Sequence, residues 1–270
     1  MTGVIAESAE AISKVLRTFF TAEEVATSNG FLQGRDPRVS LLSISGFALA
    51  VMITRTLAVT LIFAVVTVVL AWLSAVPLRR LLARSVVVPF ASALVVLPQA
   101  VLLPGDVLVQ AVGLTATDAG VEYVILFTLR VGVGVALLSL IVMTTPFSRV
   151  VAAMRELRVP VALVWIVAIT YRYLFLFFDE LQRLILARNS RTTGRAGSHG
   201  GWRDASRIAG TFLLRTLNRG ERVGRGMRAR GGAQPPSPYA HSRNLDRYDY
   251  TLVATSVLAL ICSGVVRWGL

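Results

Sequence analysis

Four long uncharged runs organise the chain: Thr56 to Leu78, Ser85 to Gly105, Val131 to Ser148 and Thr251 to Val266. Each approaches the length a helix needs to cross about 30 Å of hydrocarbon. A shorter run, Ser40 to Thr54, is parted from the first by Arg55 alone, in Thr54-Arg55-Thr56. An arginine left in lipid is costly, so this break predicts two spans joined by a tight turn rather than one long tilted helix. A span from about Tyr123 to Met143 carries Arg130 well inside its apolar stretch. The last span begins at Thr251 and is framed by Tyr248 and Tyr250 on one side and Trp268 on the other, as an interfacial aromatic belt would be. The pattern predicts an all-α integral membrane protein with about five transmembrane helices.

Between Thr144 and Tyr250 the pattern changes, with 18 arginines against 7 acids. One apolar stretch of helix length, Val159 to Phe178, survives there, interrupted only by Arg172. Arg149, Arg155 and Arg158 precede it, and twelve arginines lie between Arg183 and Arg230, so moving either flank across the membrane would violate the positive-inside rule. The stretch is expected to lie at or under the membrane, packed on the bundle, with a sixth span as the alternative. Gly231 to Pro238 reads as a helix-stopping linker. The expected organisation is an N-terminal cytoplasmic segment (1–35), a four-span bundle (36–143), an arginine-rich region of long cytoplasmic or interfacial helices (144–234), a linker (235–250) and a C-terminal transmembrane helix (251–270).

Loop charge sets the orientation. Pro77 to Arg84 carries three arginines, whereas Gly105 to Glu122 carries Asp106, Asp118 and Glu122 and no basic residue. The first loop is therefore expected inside and the second outside, which puts the N-terminus in the cytoplasm of a multi-pass plasma-membrane protein. Residues 1–35 lack a continuous apolar core of the signal-peptide kind. Ala11 to Phe20 is expected to form a short amphipathic helix at the interface.

Composition agrees: 54% of residues are hydrophobic and 16% charged, with mean hydropathy +0.66. The net charge of +13 is concentrated in the arginine stretch rather than spread as a coat. That stretch contains few aromatics, Trp202 and Phe212, and resembles no common nucleic-acid module, so no nucleic-acid partner is expected. The lone lysine, Lys14, lies outside any glycine-rich phosphate loop, so the chain does not bind ATP in that way. His199 and His241 lack clustered partners at ligand spacing, and Cys262 sits in an apolar run. No metal site, cofactor or catalytic nucleophile is expected. Arg130 either snorkels toward the outer interface near Glu122 or takes a structural partner inside the bundle. On an ideal helix Arg215, Arg219, Arg222 and Arg230 fall within roughly 80° of arc, a basic face that Gly220, Gly224 and Gly226 could interrupt.

Several ordered segments add a resemblance: Asp36-Pro37-Arg38-Val39, Leu129-Arg130, Thr144-Thr145-Pro146, Met154 to Pro160, Thr170 to Phe175, Asp179-Glu180 and Ala187 to Arg191. Leu214-Arg215-Thr216-Leu217, Glu221-Arg222-Val223 and Met227 to Gly231 complete it. In order and spacing they resemble the transmembrane T component of energy-coupling factor (ECF) transporters, in its cobalt-type CbiQ-like branch. The resemblance implies two cytoplasmic coupling helices, each ending in an Ala-Arg-Gly-like motif that docks on one of two ABC-type ATPase subunits. The second motif is Ala229-Arg230-Gly231; the first departs from the pattern as Ser190-Arg191-Thr192, which leaves Arg191 as the matching arginine and Arg188 as its neighbour. Arg215, Arg222, Glu221 and Arg172 are the supporting residues. The resemblance further implies ATP bound by the partner subunits, a separate substrate-binding S component or metal-binding membrane subunit, and uptake of cobalt, nickel or a vitamin. The competing expectation is a self-contained permease with its own path through the bundle.

Overall fold

The computed structural model describes residues 30–111, 114–191, 198–231 and 245–268. The amphipathic helix expected at Ala11 to Phe20 and most of the linker lie outside them. The described residues are helical apart from one short hairpin and the connecting turns, and they fall into two compact units, a bundle (30–153 and 245–268) and an arginine-rich unit (154–231).

The bundle starts with α1 (Pro37–Ile53) and α2 (Leu57–Leu73), parted by Thr54-Arg55-Thr56 as expected, with Arg55 exposed. Each has 17 residues, or about 25 Å of helix, somewhat short of a full crossing. The third span is built from α3 (Leu78–Ser85), α4 (Val87–Val96) and α5 (Gln99–Leu102). Pro89 and Pro98, each without an amide proton to donate, account for the two interruptions. The arginine segment Pro77 to Arg84 is thus mostly helical and continues into the span, rather than being a free loop. Its amphipathic pattern is the reason: Leu81 is buried while Arg79 and Arg80 are exposed.

The acidic loop holds structure that hydropathy did not reveal. Strands β1 (Val107–Ala111) and β2 (Leu114–Thr117) pair antiparallel. The Asp118 amide donates to the Asp106 carbonyl at 3.0 Å, and the Asp106 amide donates to Asp118 Oδ1 at 3.1 Å. Thr117 Oγ1 then caps α6 (Asp118–Thr144), accepting from the Gly120 amide at 3.2 Å, as an N-cap hydroxyl should.

Helix α6 is the hub of the bundle, since α1, α2, α3, α4 and α5 all pack on it. Leu137, Leu140 and Met143 of α6 are buried with Ile44, Phe47, Ala50 and Val51 of α1 and Phe63 and Leu70 of α2. The closing helix, α10 (Arg247–Trp268), lies along α1 in the most extensive helix pairing of the described residues. Gly46 faces Ser256 and Leu260 there, and the missing side chain lets the two backbones approach. Buried hydroxyls bond within their own helices: Thr54 to the Ala50 carbonyl at 2.9 Å, Thr67 to Phe63 at 2.8 Å and Thr144 to Leu140 at 2.8 Å. Such back-bonding satisfies a polar group where water is absent.

Helix α7 (Phe147–Glu156) follows Pro146 and spans the boundary between the units. Arg158 stands at φ 61, a left-handed turn after the helix end. The second unit consists mainly of α8 (Val161–Arg191, 31 residues) and α9 (Ser198–Ala229, 32 residues). Among the described residues, four segments are long and apolar enough to cross a membrane: Leu78–Leu102, Asp118–Thr144, Val161–Arg188 and Arg247–Arg267. The third of these meets the length and composition of a crossing helix where flanking charge predicted an interfacial position. The helix outruns its apolar stretch because it continues from Asp179 through charged sequence to Arg191.

Candidate functional site

Helices α8 and α9 meet near their midpoints. Phe177 of α8 packs edge-on against Phe212 of α9, ring centroids 6.1 Å apart, and one turn further on Arg215 Nη1 donates to Glu180 Oε1 at 2.6 Å. A shallow cleft at the crossing is lined by Phe177, Glu180, Arg215, Thr216, Asn218, Arg219 and Arg222. Arg215, Arg219 and Arg222 therefore do share one face, as their spacing predicted. The glycines do not break it, because α9 runs unbroken through Gly220, Gly224 and Gly226. Arg230 lies one residue beyond the helix end and does not line the cleft.

Helix α9 stops through a local device. Gly231 has φ +96, a left-handed conformation that glycine adopts without a Cβ clash. The Arg230 amide bonds the Met227 carbonyl at 3.1 Å and the Gly231 amide bonds Arg228 at 3.3 Å, which satisfies carbonyls the helix would leave open. Ala229, Arg230 and Gly231 are all exposed. The guanidinium of Arg230 forms no hydrogen bond or ion pair among the described residues, so it stands free at the helix terminus. Arg191 is the last residue of α8, and its side chain lies outside the described set; Arg188, one turn earlier, is half-buried. Arg172 and Glu221 are exposed on α8 and α9, and neither forms an ion pair among the described residues.

Arg130 belongs to the bundle. Its Nη2 donates to the carbonyl of Thr54, the C-cap residue of α1. The side chain thus reaches a backbone carbonyl of a neighbouring helix of the bundle. A cation at a helix C-terminus also opposes the negative end of that helix's dipole.

The N-terminal edge of the bundle carries polar contacts that hydropathy did not single out. Asp36, wholly buried, caps α1 by accepting from the Arg38 amide at 2.9 Å and pairs with Arg38 Nε at 3.2 Å. Arg35 bonds Asp246 at 3.2 Å and lies over the rings of Phe31 and Tyr248, 4.4 and 4.7 Å from their centroids. Gln33 Nε2 donates to the Ser74 carbonyl at 2.9 Å, and Arg149 Nη1 donates to the Gln33 carbonyl at 2.6 Å. Asp36-Pro37 was the available signal, since an acidic N-cap before a first-turn proline marks a helix start. Among the described residues, no three His, Cys, Asp or Glu side chains come together as a metal-ligand group.

A family model described as cobalt transport protein, CbiQ, matches residues 28–240. An uncharacterized protein of Methanocaldococcus jannaschii is 28% identical over 228 residues, 82% of this chain and 78% of that protein. A second uncharacterized protein of that organism is 27% identical over 104 residues, 38% of each chain. The cobalt transport protein CbiQ of Rhodobacter capsulatus is 31% identical over 87 residues, 32% of this chain and 35% of that protein.

Proposed function

Because this chain belongs to the CbiQ family of cobalt transport proteins, multi-pass membrane components of transport, we propose that it is the transmembrane coupling subunit of an ECF-type importer. It carries no catalytic role of its own. Two ABC-type ATPase subunits bind and hydrolyse ATP; this chain transmits their closure to a separate membrane subunit that holds the substrate, a cobalt or nickel ion or a vitamin. The observation that carries this reading is the end of α9, where Gly231 turns the chain and leaves Arg230 exposed and unpaired. A guanidinium is always charged and presents a planar fork of donors, suited to acids and carbonyls in a partner's groove. Arg191 at the end of α8 supplies the second contact, with Arg188 beside it. The Arg215–Glu180 pair and the Phe177–Phe212 contact brace the two helices so that force at their ends reaches the crossing. For such transmission, the partners must bind differently in the two nucleotide states.

The test is co-purification in mild detergent of the tagged chain with candidate ATPase subunits, for wild type, Arg191→Ala, Arg230→Ala and the double variant. Wild type is expected to retain the ATPase and the double variant to lose it. Failure of wild type to retain any ATPase in several detergents would sink the coupling role and bring forward a self-contained permease.

A further inference from the structure

We propose that the cleft where α8 and α9 cross binds the phosphate of an anionic phospholipid. Three arginines of one helix, Arg215, Arg219 and Arg222, line it, at spacings of three and four residues, where like charges on a helix repel. Glu180 is the one acid in the cleft lining, and Arg215 already engages it at 2.6 Å. Arg219 and Arg183 also act on the Glu180 charge, so this single carboxylate is shared among three cations. Arg219 and Arg222 make no hydrogen bond or ion pair among the described residues, and Arg219 is half-buried rather than fully solvated. A cation held in that position is eased by an anion, and a phosphate accepts paired donors from guanidinium groups.

The position of the cleft selects a lipid. Phe177 forms one wall and is the next-to-last residue of the apolar stretch of α8, which becomes charged at Asp179. Val161, Leu163, Ile166 and Leu176 of that stretch are exposed, as lipid-facing residues would be. An apolar helix surface leading directly into an arginine-lined cleft matches a phospholipid, with acyl chain along the first and phosphate in the second. This assignment requires no ATPase, so it stands or falls apart from the coupling role.

The full chain purified in detergent is titrated with dioleoylphosphatidylglycerol, with dioleoylphosphatidylcholine, or with inorganic phosphate, and its Tm is followed. Phosphatidylglycerol is expected to raise the Tm by several degrees, with little change from the other two. In Arg219→Gln/Arg222→Gln the concentration for half of the shift is expected to rise at least tenfold. Arg225→Gln/Arg228→Gln removes the same charge from exposed positions outside the cleft lining and is expected to respond as wild type does. Should the glutamine pair fail to fold, Arg219→Lys/Arg222→Lys, which keeps charge and loses the planar fork, is expected to show a weakened response. An unchanged response in a folded cleft variant, an equal loss in Arg225→Gln/Arg228→Gln, or an equal shift from phosphatidylcholine would overturn the proposal. Reproduction of the shift by inorganic phosphate would overturn the lipid assignment in favour of a free-anion site.

Discussion

At residue scale, Asp36 combines two tasks, capping α1 and neutralising Arg38. Asp36→Ala removes both and is expected to lower stability by about 1–3 kcal/mol. Asp36→Asn keeps an acceptor for the cap and should cost less, and thermal unfolding in detergent separates the two. Arg130→Met leaves the Thr54 carbonyl without its donor, and an expected loss of about 1–3 kcal/mol reads out in the same way. Gly231→Val places a branched side chain at φ +96 and is expected to strain the α9 terminus by about 1–3 kcal/mol. That strain is local, so the bundle should keep its Tm while ATPase retention falls; intact retention would show that the left-handed turn is dispensable. Residues with local roles were legible from sequence, as Gly231 shows. Arg130 was legible only as a charge needing a partner, because the partner is a backbone carbonyl 76 residues away, and carbonyls leave no mark in a sequence.

At the scale of elements, α9 is a long helix built partly from poor helix formers. Gly220 and Gly226 are exposed in its interior, with open space where a Cβ would go. Gly220→Ala/Gly226→Ala is expected to stabilise the helix by about 0.5–1 kcal/mol per site, seen as slower amide exchange across residues 215–229. Faster exchange there would mean that the helix depends on its glycines. Gly120 on α6 behaves oppositely, since an added Cβ would stand 2.6 Å from the Ala100 carbonyl oxygen, and Gly120→Ala should lower the Tm clearly. Periodicity and hydropathy found the spans because lipid demands long apolar helices. They could not find the β1–β2 hairpin, which is too short for a periodic signal, nor the Glu180–Arg215 pair, which depends on how two helices cross. The glycines of α9 left open a break that the helix does not show, since propensity is a weak prior.

For the whole molecule, the family and the multi-pass character emerged from motifs and hydropathy together. Orientation rests on loop charge and is open to direct measurement. In a Cys262→Ser background, a cysteine replacing Asp106 is expected to react with a membrane-impermeant maleimide in intact cells, and one replacing Arg80 only after permeabilisation. The reverse pattern would invert the assigned topology. The arginine density of the chain rises after Thr144, and the boundary between the bundle and the arginine-rich unit lies at residue 153.

The pairing of α1 with α10 bears on how the protein is made. The first described helix finds its most extensive partner in the last, roughly 200 residues later, which at about 5–20 residues per second means some 10–40 s of translation. Throughout that interval the face of α1 around Gly46 must wait in lipid or beside a chaperone. Maturation of the bundle is therefore timed by the exit of its C-terminal helix from the ribosome, and a nascent chain stalled before Arg247 would present quality-control proteases with an unfinished seam.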